Sequence, residues 1–239
     1  MPRQNQSDGL DQETREKLAK SAQSAYHRGH YRHCIRILDD ILSNEPSLIQ
    51  AGYNSPAFFY RGLANHQLGN IETAVEDYSR GIQREGKGTP VKRGWEQEFL
   101  ALLYIERAAL RNQLNQSALA IRDLGFVVEF GDRIDYNVVM ATAMATLNEK
   151  KEAVNYFKRA IQYADRSLDG KEQPKEDLKS DYYGRHIIFK RDYVFAALAE
   201  RGLKNLGIKS RTNFEISGIR RKFIKRKDIE QRLEQVRSG

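Results

Sequence analysis

The chain is predicted to be all-α, built from helical hairpins that repeat along most of its length. Three observations predict this. First, a small residue, a turn residue seven positions later and a second small residue five beyond that recur four times: Ala22, Gly29, Cys34; Gly62, Gly69, Ala74; Ala108, Asn115, Ala120; and Ala141, Asn148, Ala153. Second, a bulky apolar residue follows four positions after each last member, at Leu38, Tyr78, Leu124 and Phe157. Third, 40% hydrophobic and 30% charged residues suit a helical protein with a stacked core.

The spacing has a physical reading. Two antiparallel helices that cross closely need a small side chain on each, and the residue that reverses the chain must tolerate positive φ, hence Gly or Asn. The bulky residue one turn further on packs against the next unit. In the clearest copy, 56–85, Gly62 and Ala74 face each other, with Phe58 and Tyr78 as bulk on either side of a turn at Leu68-Gly69-Asn70.

These marks resemble the tetratricopeptide repeat (TPR), whose pattern is W-x2-L-G-x2-Y, then A-x3-F, then P. The matching residues in the second unit are Phe58, Arg61, Gly62 and Asn65, then Ala74 and Tyr78; Pro46 closes the first unit. No unit has the tryptophan, Ser21, Arg61 and Arg107 replace the leucine, and Asp132 and Asp165 stand at the proline position. The resemblance covers roughly 12–165 and implies a superhelical solenoid of four hairpins plus C-terminal capping helices.

In chain order, residues 1–10 are polar and expected to be disordered. The four units are expected at about 11–45, 56–85, 95–130 and 134–165. Asp11, Glu13 and Glu16 suit the dipole at the start of the first helix, which runs to about Arg28; its partner runs from about Tyr31 to Asn44. Gly86 to Gly94 is expected to be a flexible basic insertion, and the third unit's first helix to start near Trp95. Equivalent small residues are 40, 46 and 33 positions apart, so insertions separate the earlier units. Residues 166–181 read as a charged loop, and 182–206 as a capping helix or decayed fifth repeat. A last helix over 217–236 carries the stripe Ile219, Phe223, Ile229, Leu233 and Val236.

Charge is concentrated late. Of the net +8, residues 200–239 hold 12 Lys/Arg against 5 Asp/Glu, leaving 28 against 27 elsewhere. The centre is Arg220, Arg221, Lys222, Lys225, Arg226 and Lys227. Four readings of that helix stand side by side: a solvated cap, a contact for an acidic protein surface, one for nucleic-acid phosphates, or one for a membrane surface.

No catalytic constellation, phosphate loop or nucleophile elbow is legible, so an enzyme is not expected, and neither is a cofactor. His27, His30 and His33 lie beside Cys34, but Gly29 turns the chain between the first two and no second cluster supplies further ligands, so no metal site is expected. Cys34 sits at a packing position. The acidic residues are explained by solvation and by pairs such as Glu13 with Lys17 and Glu76 with Arg80. No apolar run spans a bilayer, and MPRQNQSDGLDQ lacks a signal peptide's apolar segment. An intracellular protein is expected.

The resemblance implies binding. In TPR arrays the first helices line a groove, here expected from Gln23, Tyr26, Phe59, Leu63, His66, Leu102, Ile105, Asn112 and Val138. One branch of the family grips chaperone tails with basic and amide side chains. The matching positions are Ala19, Gln23, Tyr60, Ile105 and Ala109, so that clamp is absent. The expected function is an adaptor or assembly scaffold holding a partner peptide or helix in an apolar groove, unless the chain's own last helix fills it. The basic helix would be a second contact. The alternative is a nucleic-acid-associated subunit contacting phosphates through 220–227.

Overall fold

Asp11 shows why the first helix begins where it does. Its carboxylate accepts the Thr14 backbone N–H at 2.9 Å and the Thr14 hydroxyl at 2.7 Å. The backbone bond holds its pKa below the usual carboxylate value, as an N-cap requires. The computed structural model describes residues 11–43, 54–86, 90–91, 97–168 and 185–209. Among them the ordered elements are helical: α1 (Gln12–His27), α2 (Tyr31–Ser43), α3 (Asn54–Gln67), α4 (Ile71–Gly86), α5 (Glu98–Gln113), α6 (Ser117–Gly125), a 3₁₀ turn (Val128–Phe130), α7 (Ile134–Thr146), α8 (Lys150–Leu168) and α9 (Arg185–Asn205). The fold is all-α and TPR-like. The expected last helix over 217–236 and the residues 1–10 lie outside the described residues.

The turns form as the spacing demands. Gly29, Gly69, Asn115 and Asn148 have φ of 78°, 83°, 58° and 65°. At each, the turn residue's N–H bonds to the carbonyl three residues back, and the next N–H to the carbonyl five back, for example Gly69 to His66 at 3.0 Å and Asn70 to Asn65 at 3.0 Å. This pair of hydrogen bonds satisfies carbonyls that a helix end leaves open. The seven non-glycine small residues of the repeat are each 0% exposed, and Gly62 is buried too. The four bulky residues, Leu38, Tyr78, Leu124 and Phe157, are at most 5% exposed.

The chain divides into two compact units, Met1–Thr89 with Arg93–Arg107, and Pro90–Lys92 with Ala108–Gly239. In the first, α1 pairs with α2, α3 with α4, and α3 packs on α2. Gly62 is where bulk matters: a Cβ there would lie 2.8 Å from Tyr78 Cδ1, well inside van der Waals contact. A buried polar link joins the hairpins. Arg61 of α3 donates to Asp77 of α4 through Nε at 2.9 Å and Nη2 at 2.6 Å, and to Asp39 of α2 through Nη1 at 2.6 Å. Asn65 Nδ2 adds a third bond to Asp77, at 2.9 Å. Burial pushes the Asp77 carboxyl up, and Arg61 and Asn65 offset only part of that. Burial also opposes the Arg61 charge, but its bonds to Asp77 and Asp39 outweigh it and raise the pKa. One unit later, Arg107 donates to the Ser79 hydroxyl at 3.0 Å.

In the second unit α7 pairs with α8, α6 packs on α7, and α9 packs on both α8 and α7. Arg111 pairs with the buried Asp123 at 2.6 Å, the position equivalent to Asp77. Two expectations change here. The insertion is anchored at one point: Val91 is 2% exposed, and its N–H bonds to the Phe126 carbonyl at 2.7 Å. An apolar side chain with its backbone satisfied has no reason to stay in solvent. α8 continues to Leu168, past the start of the loop expected from residue 166.

Candidate binding faces of the first helices

Because every hairpin turns with the same bonds, positions on the first helices can be aligned by counting back from the turn residue. Ten, six and three residues before it stand Ala19, Gln23 and Tyr26 on α1; Phe59, Leu63 and His66 on α3; Ile105, Ala109 and Asn112 on α5; and Val138, Thr142 and Ala145 on α7. α9 belongs to the same set. Gly207 has φ of 77°, its N–H bonds to Lys204 O at 3.0 Å, and Ile208 N–H bonds to Leu203 O at 2.9 Å. α9 packs on α8 and α7 as α3 packs on α2 and α1. Its aligned residues are Ala197, Arg201 and Lys204.

In the first unit the structure places most of the expected groove residues inside the core. Phe59, Leu63 and Leu102 are each 1% exposed, Ile105 0% and His66 5%. The physical reason lies in α3, where every side chain from Ala57 to His66 except Arg61 is buried. A helix that is apolar nearly all round is packed on all sides. Aromatic rings knit this core together. Tyr26 lies 5.5 Å from Tyr31 and 6.0 Å from Tyr60 between ring centroids, and Phe59 lies 5.5 Å from Tyr60 and 5.7 Å from Phe99. Each such pair is worth about 0.5–1.5 kcal/mol beyond burial. The residues of this face that remain partly accessible are Ala19, Gln23 and Tyr26 on α1.

In the second unit the aligned face is more open. Val138 is buried, but Ala109, Thr142, Ala145 and Arg201 are half-buried and Lys204 is exposed. Thr142 turns its hydroxyl back to the Val138 carbonyl at 2.8 Å. Asn112 donates through Nδ2 to the Val139 carbonyl of α7 at 2.9 Å. Its Oδ1 is buried with no hydrogen-bond partner.

The remaining candidates divide simply. Cys34 is fully buried, and burial pushes its thiol up to about 12, so it is an inert packing group. His30 and His33 are exposed, and His27 is half-buried edge-on to Tyr26. Among the described residues no group of three or more His, Cys, Asp or Glu is placed to hold a metal. The expected surface pairs form, Glu13 with Lys17 and Glu76 with Arg80, both at 2.6 Å. Arg220, Arg221, Lys222, Lys225, Arg226 and Lys227 lie outside the described residues.

Sequence reasoning missed α9's alignment, and with it Arg201 and Lys204. The signal was Leu206-Gly207, which repeats the Leu68-Gly69, Leu114-Asn115 and Leu147-Asn148 pairs. The small residue expected seven positions earlier is absent, and Glu200 stands there.

Fold and face together define an all-α protein of TPR-like helical hairpins. No protein-family model matches the chain, and no curated protein sequence matches it. Solved structures similar to it include two MamA chains. MamA 41-end from Desulfovibrio magneticus RS-1 is 14% identical, with 81% of this chain and 93% of that one covered at a TM-score of 0.49. The MamA RS-1 ArsTM double mutant is 15% identical, with 80% and 97% covered at a TM-score of 0.48. Among the described residues no helix is long and apolar enough to cross a membrane.

Proposed function

We propose that the chain is a non-catalytic, intracellular scaffold that binds protein partners through the aligned faces of first helices within each of its two compact units. The observation that carries this reading is the recurrence of one turn geometry at five helix ends. It presents the same three columns of side chains again and again, and α1 and α7 leave part of them accessible. Repeated small units of this kind suit the recognition of a peptide or helix, whose side chains meet successive columns. Gln23 and Tyr26 are the first-unit contacts in this proposal. Phe59, Leu63, Leu102 and Ile105 act as the core that holds them in place. The basic residues 220–227 are proposed as a second contact.

The test is site-specific photocrosslinking in native lysate, with a benzophenone side chain at Gln23 or Thr142. The same group at Arg36 or Lys158, exposed on second helices, serves as control. A reproducible protein partner captured from the first two positions and not from the controls is expected. Equal capture from both sets, or none from Gln23 and Thr142, refutes the proposal.

A further inference from the structure

α9 ends in a turn that elsewhere in this chain always leads into a return helix. Gly207 has the positive φ and the pair of backbone bonds seen at Gly29, Gly69, Asn115 and Asn148, each of which is followed by a second helix. Residues 210–239 lie outside the described residues, but their sequence carries the marks of a hairpin. Five residues after the turn residue stand Cys34, Ala74, Ala120 and Ala153, and then Thr212. Nine after it stand Leu38, Tyr78, Leu124 and Phe157, and then Ile216. Twelve after it stand Ile41, Gly81, Val127 and Ala160, all buried, and then Ile219.

The side of α9 that such a helix would cover can be identified from the other hairpins. Positions eleven, seven and four before the turn residue face the hairpin's own second helix. In the second hairpin a Cβ on Gly81 would lie 3.0 Å from Phe58 Cβ, one on Gly62 would meet the Tyr78 ring, and Asn65 bonds to Asp77 at 2.9 Å. In the third, Arg111 pairs with Asp123 at 2.6 Å. The same positions on α9 are Ala196, Glu200 and Leu203. Ala196 and Leu203 are 0% exposed and Glu200 is half-buried. α8 occupies a different side, where Gly202 packs against the Phe157 ring. Apolar groups buried on the hairpin side call for a covering element, and a segment tethered two residues past the turn reaches them at a far higher effective concentration than a separate chain. We infer that residues 209–224 form the second helix of a fifth hairpin and dock on Ala196, Glu200 and Leu203 of α9. The helix begins before the stripe expected over 217–236 and takes in its first member, Ile219. Its crossing pair is Glu200 with Thr212, an acceptor with a donor, where the other hairpins pair small apolar residues. The segment is thereby held at the end of the array and does not fill the aligned faces, an inference that stands independently of the scaffold reading.

The test pairs engineered cysteines in the full chain, with Cys34→Ala supplying the residue that Ala74, Ala120 and Ala153 provide in the other hairpins. Under mild oxidation, Glu200→Cys with Thr212→Cys is expected to close an intramolecular disulfide about tenfold faster than Arg201→Cys with Thr212→Cys, whose first cysteine points about 100° away around α9. A second measurement reads the register without a crosslink. Ile216→Asp is expected to lower the urea midpoint and to speed amide exchange in α9 by about tenfold. Phe214→Asp is expected to leave both unchanged, because the matching residues Arg36, Glu76, Arg122 and Asn155 are all exposed. Three results overturn the inference. The Arg201 pair closes as fast as the Glu200 pair, which puts the segment over the aligned face or leaves it unattached; the disulfide links two chains, which puts it on a second copy; or Phe214→Asp costs as much as Ile216→Asp. Photocrosslinking from Gln23 and Thr142 is read separately, so a failed fifth hairpin leaves the scaffold reading standing, and absent crosslinks leave the hairpin standing.

Discussion

Replacing Arg61 by Met tests how the first two hairpins are held together. The side chain is 13% exposed and joins Asp77, at 4%, to Asp39, at 51%. Met keeps much of the aliphatic packing against Phe58, whose ring centroid lies 5.5 Å from the guanidinium carbon. What it removes is the countercharge. The half-exposed Asp39 contributes about 0–1 kcal/mol. Stranding a buried carboxylate costs about 3–5 kcal/mol, and the surviving Asn65 bond to Asp77 moves the expected loss to about 3 kcal/mol. Asp77 supplies the sign with pH. Its folded pKa is already raised above 3.8 by burial, and losing Arg61 raises it further. A carboxyl with a raised folded pKa stabilises the fold below its unfolded pKa and loses that contribution as pH rises through the folded value. The Arg61→Met defect is therefore largest at neutral pH and shrinks on acidification toward the unfolded value. Asp77→Asn placed on the same background should restore about 1–2 kcal/mol at neutral pH, a coupling typical of contacting residues. Urea unfolding followed by circular dichroism gives the totals. Amide exchange in Tyr31–Ser43 and Ile71–Gly86 shows whether the loss is local to α2 and α4. A loss below about 1 kcal/mol that does not depend on pH would refute the reasoning.

Two further outcomes follow from the packing. Gly62→Ala gains about 1 kcal/mol of helix propensity, but its methyl group meets the Tyr78 ring. Overpacking of that kind costs about 1–3 kcal/mol, so a lower urea midpoint is expected, and a higher one shows that the ring yields freely. Cys34, with its thiol pushed up to about 12 by burial, should resist a thiol reagent at mildly alkaline pH until the first unit unfolds, as read by labelling across a urea series. Rapid labelling of the native chain would contradict its burial.

The fold was legible because its marks are local. Positive φ at Gly29, Gly69, Asn115 and Asn148, and full burial of Ala22, Cys34, Ala74, Ala108, Ala120, Ala141 and Ala153, are demands that a residue meets within its own hairpin. The binding face was less legible. Register alone points Phe59, Leu63, Leu102 and Ile105 to a groove, yet α3 carries apolar residues on every side, so no periodicity distinguishes a groove face from a core face. Arg61 could be seen to break the TPR pattern, but its partners Asp39 and Asp77 lie 22 and 16 residues away, one on each neighbouring helix. Val91 sits in a stretch of glycines and lysines that gives no hint of an anchor at Phe126. α9 is legible as a helix, a cap or a decayed fifth repeat, but its alignment is not, because Glu200 occupies the crossing position while the turn itself, Leu206-Gly207, is intact.

The arginines also make the hairpins non-interchangeable. Arg61 reaches back to a carboxylate, Asp39, whereas Arg107 at the same position reaches back to a hydroxyl, Ser79; the carboxylate within the third hairpin, Asp123, is served by Arg111. A chimera that pasted the second hairpin's sequence into the third position would carry Arg61's fork to Ser79 and meet no second acid there. The reverse transplant would bring Arg111's equivalent where Asn65 now stands, adding a cation beside one already paired. These two junctions thus carry different polar partners, so their hairpins are not exchangeable even though their backbones turn alike.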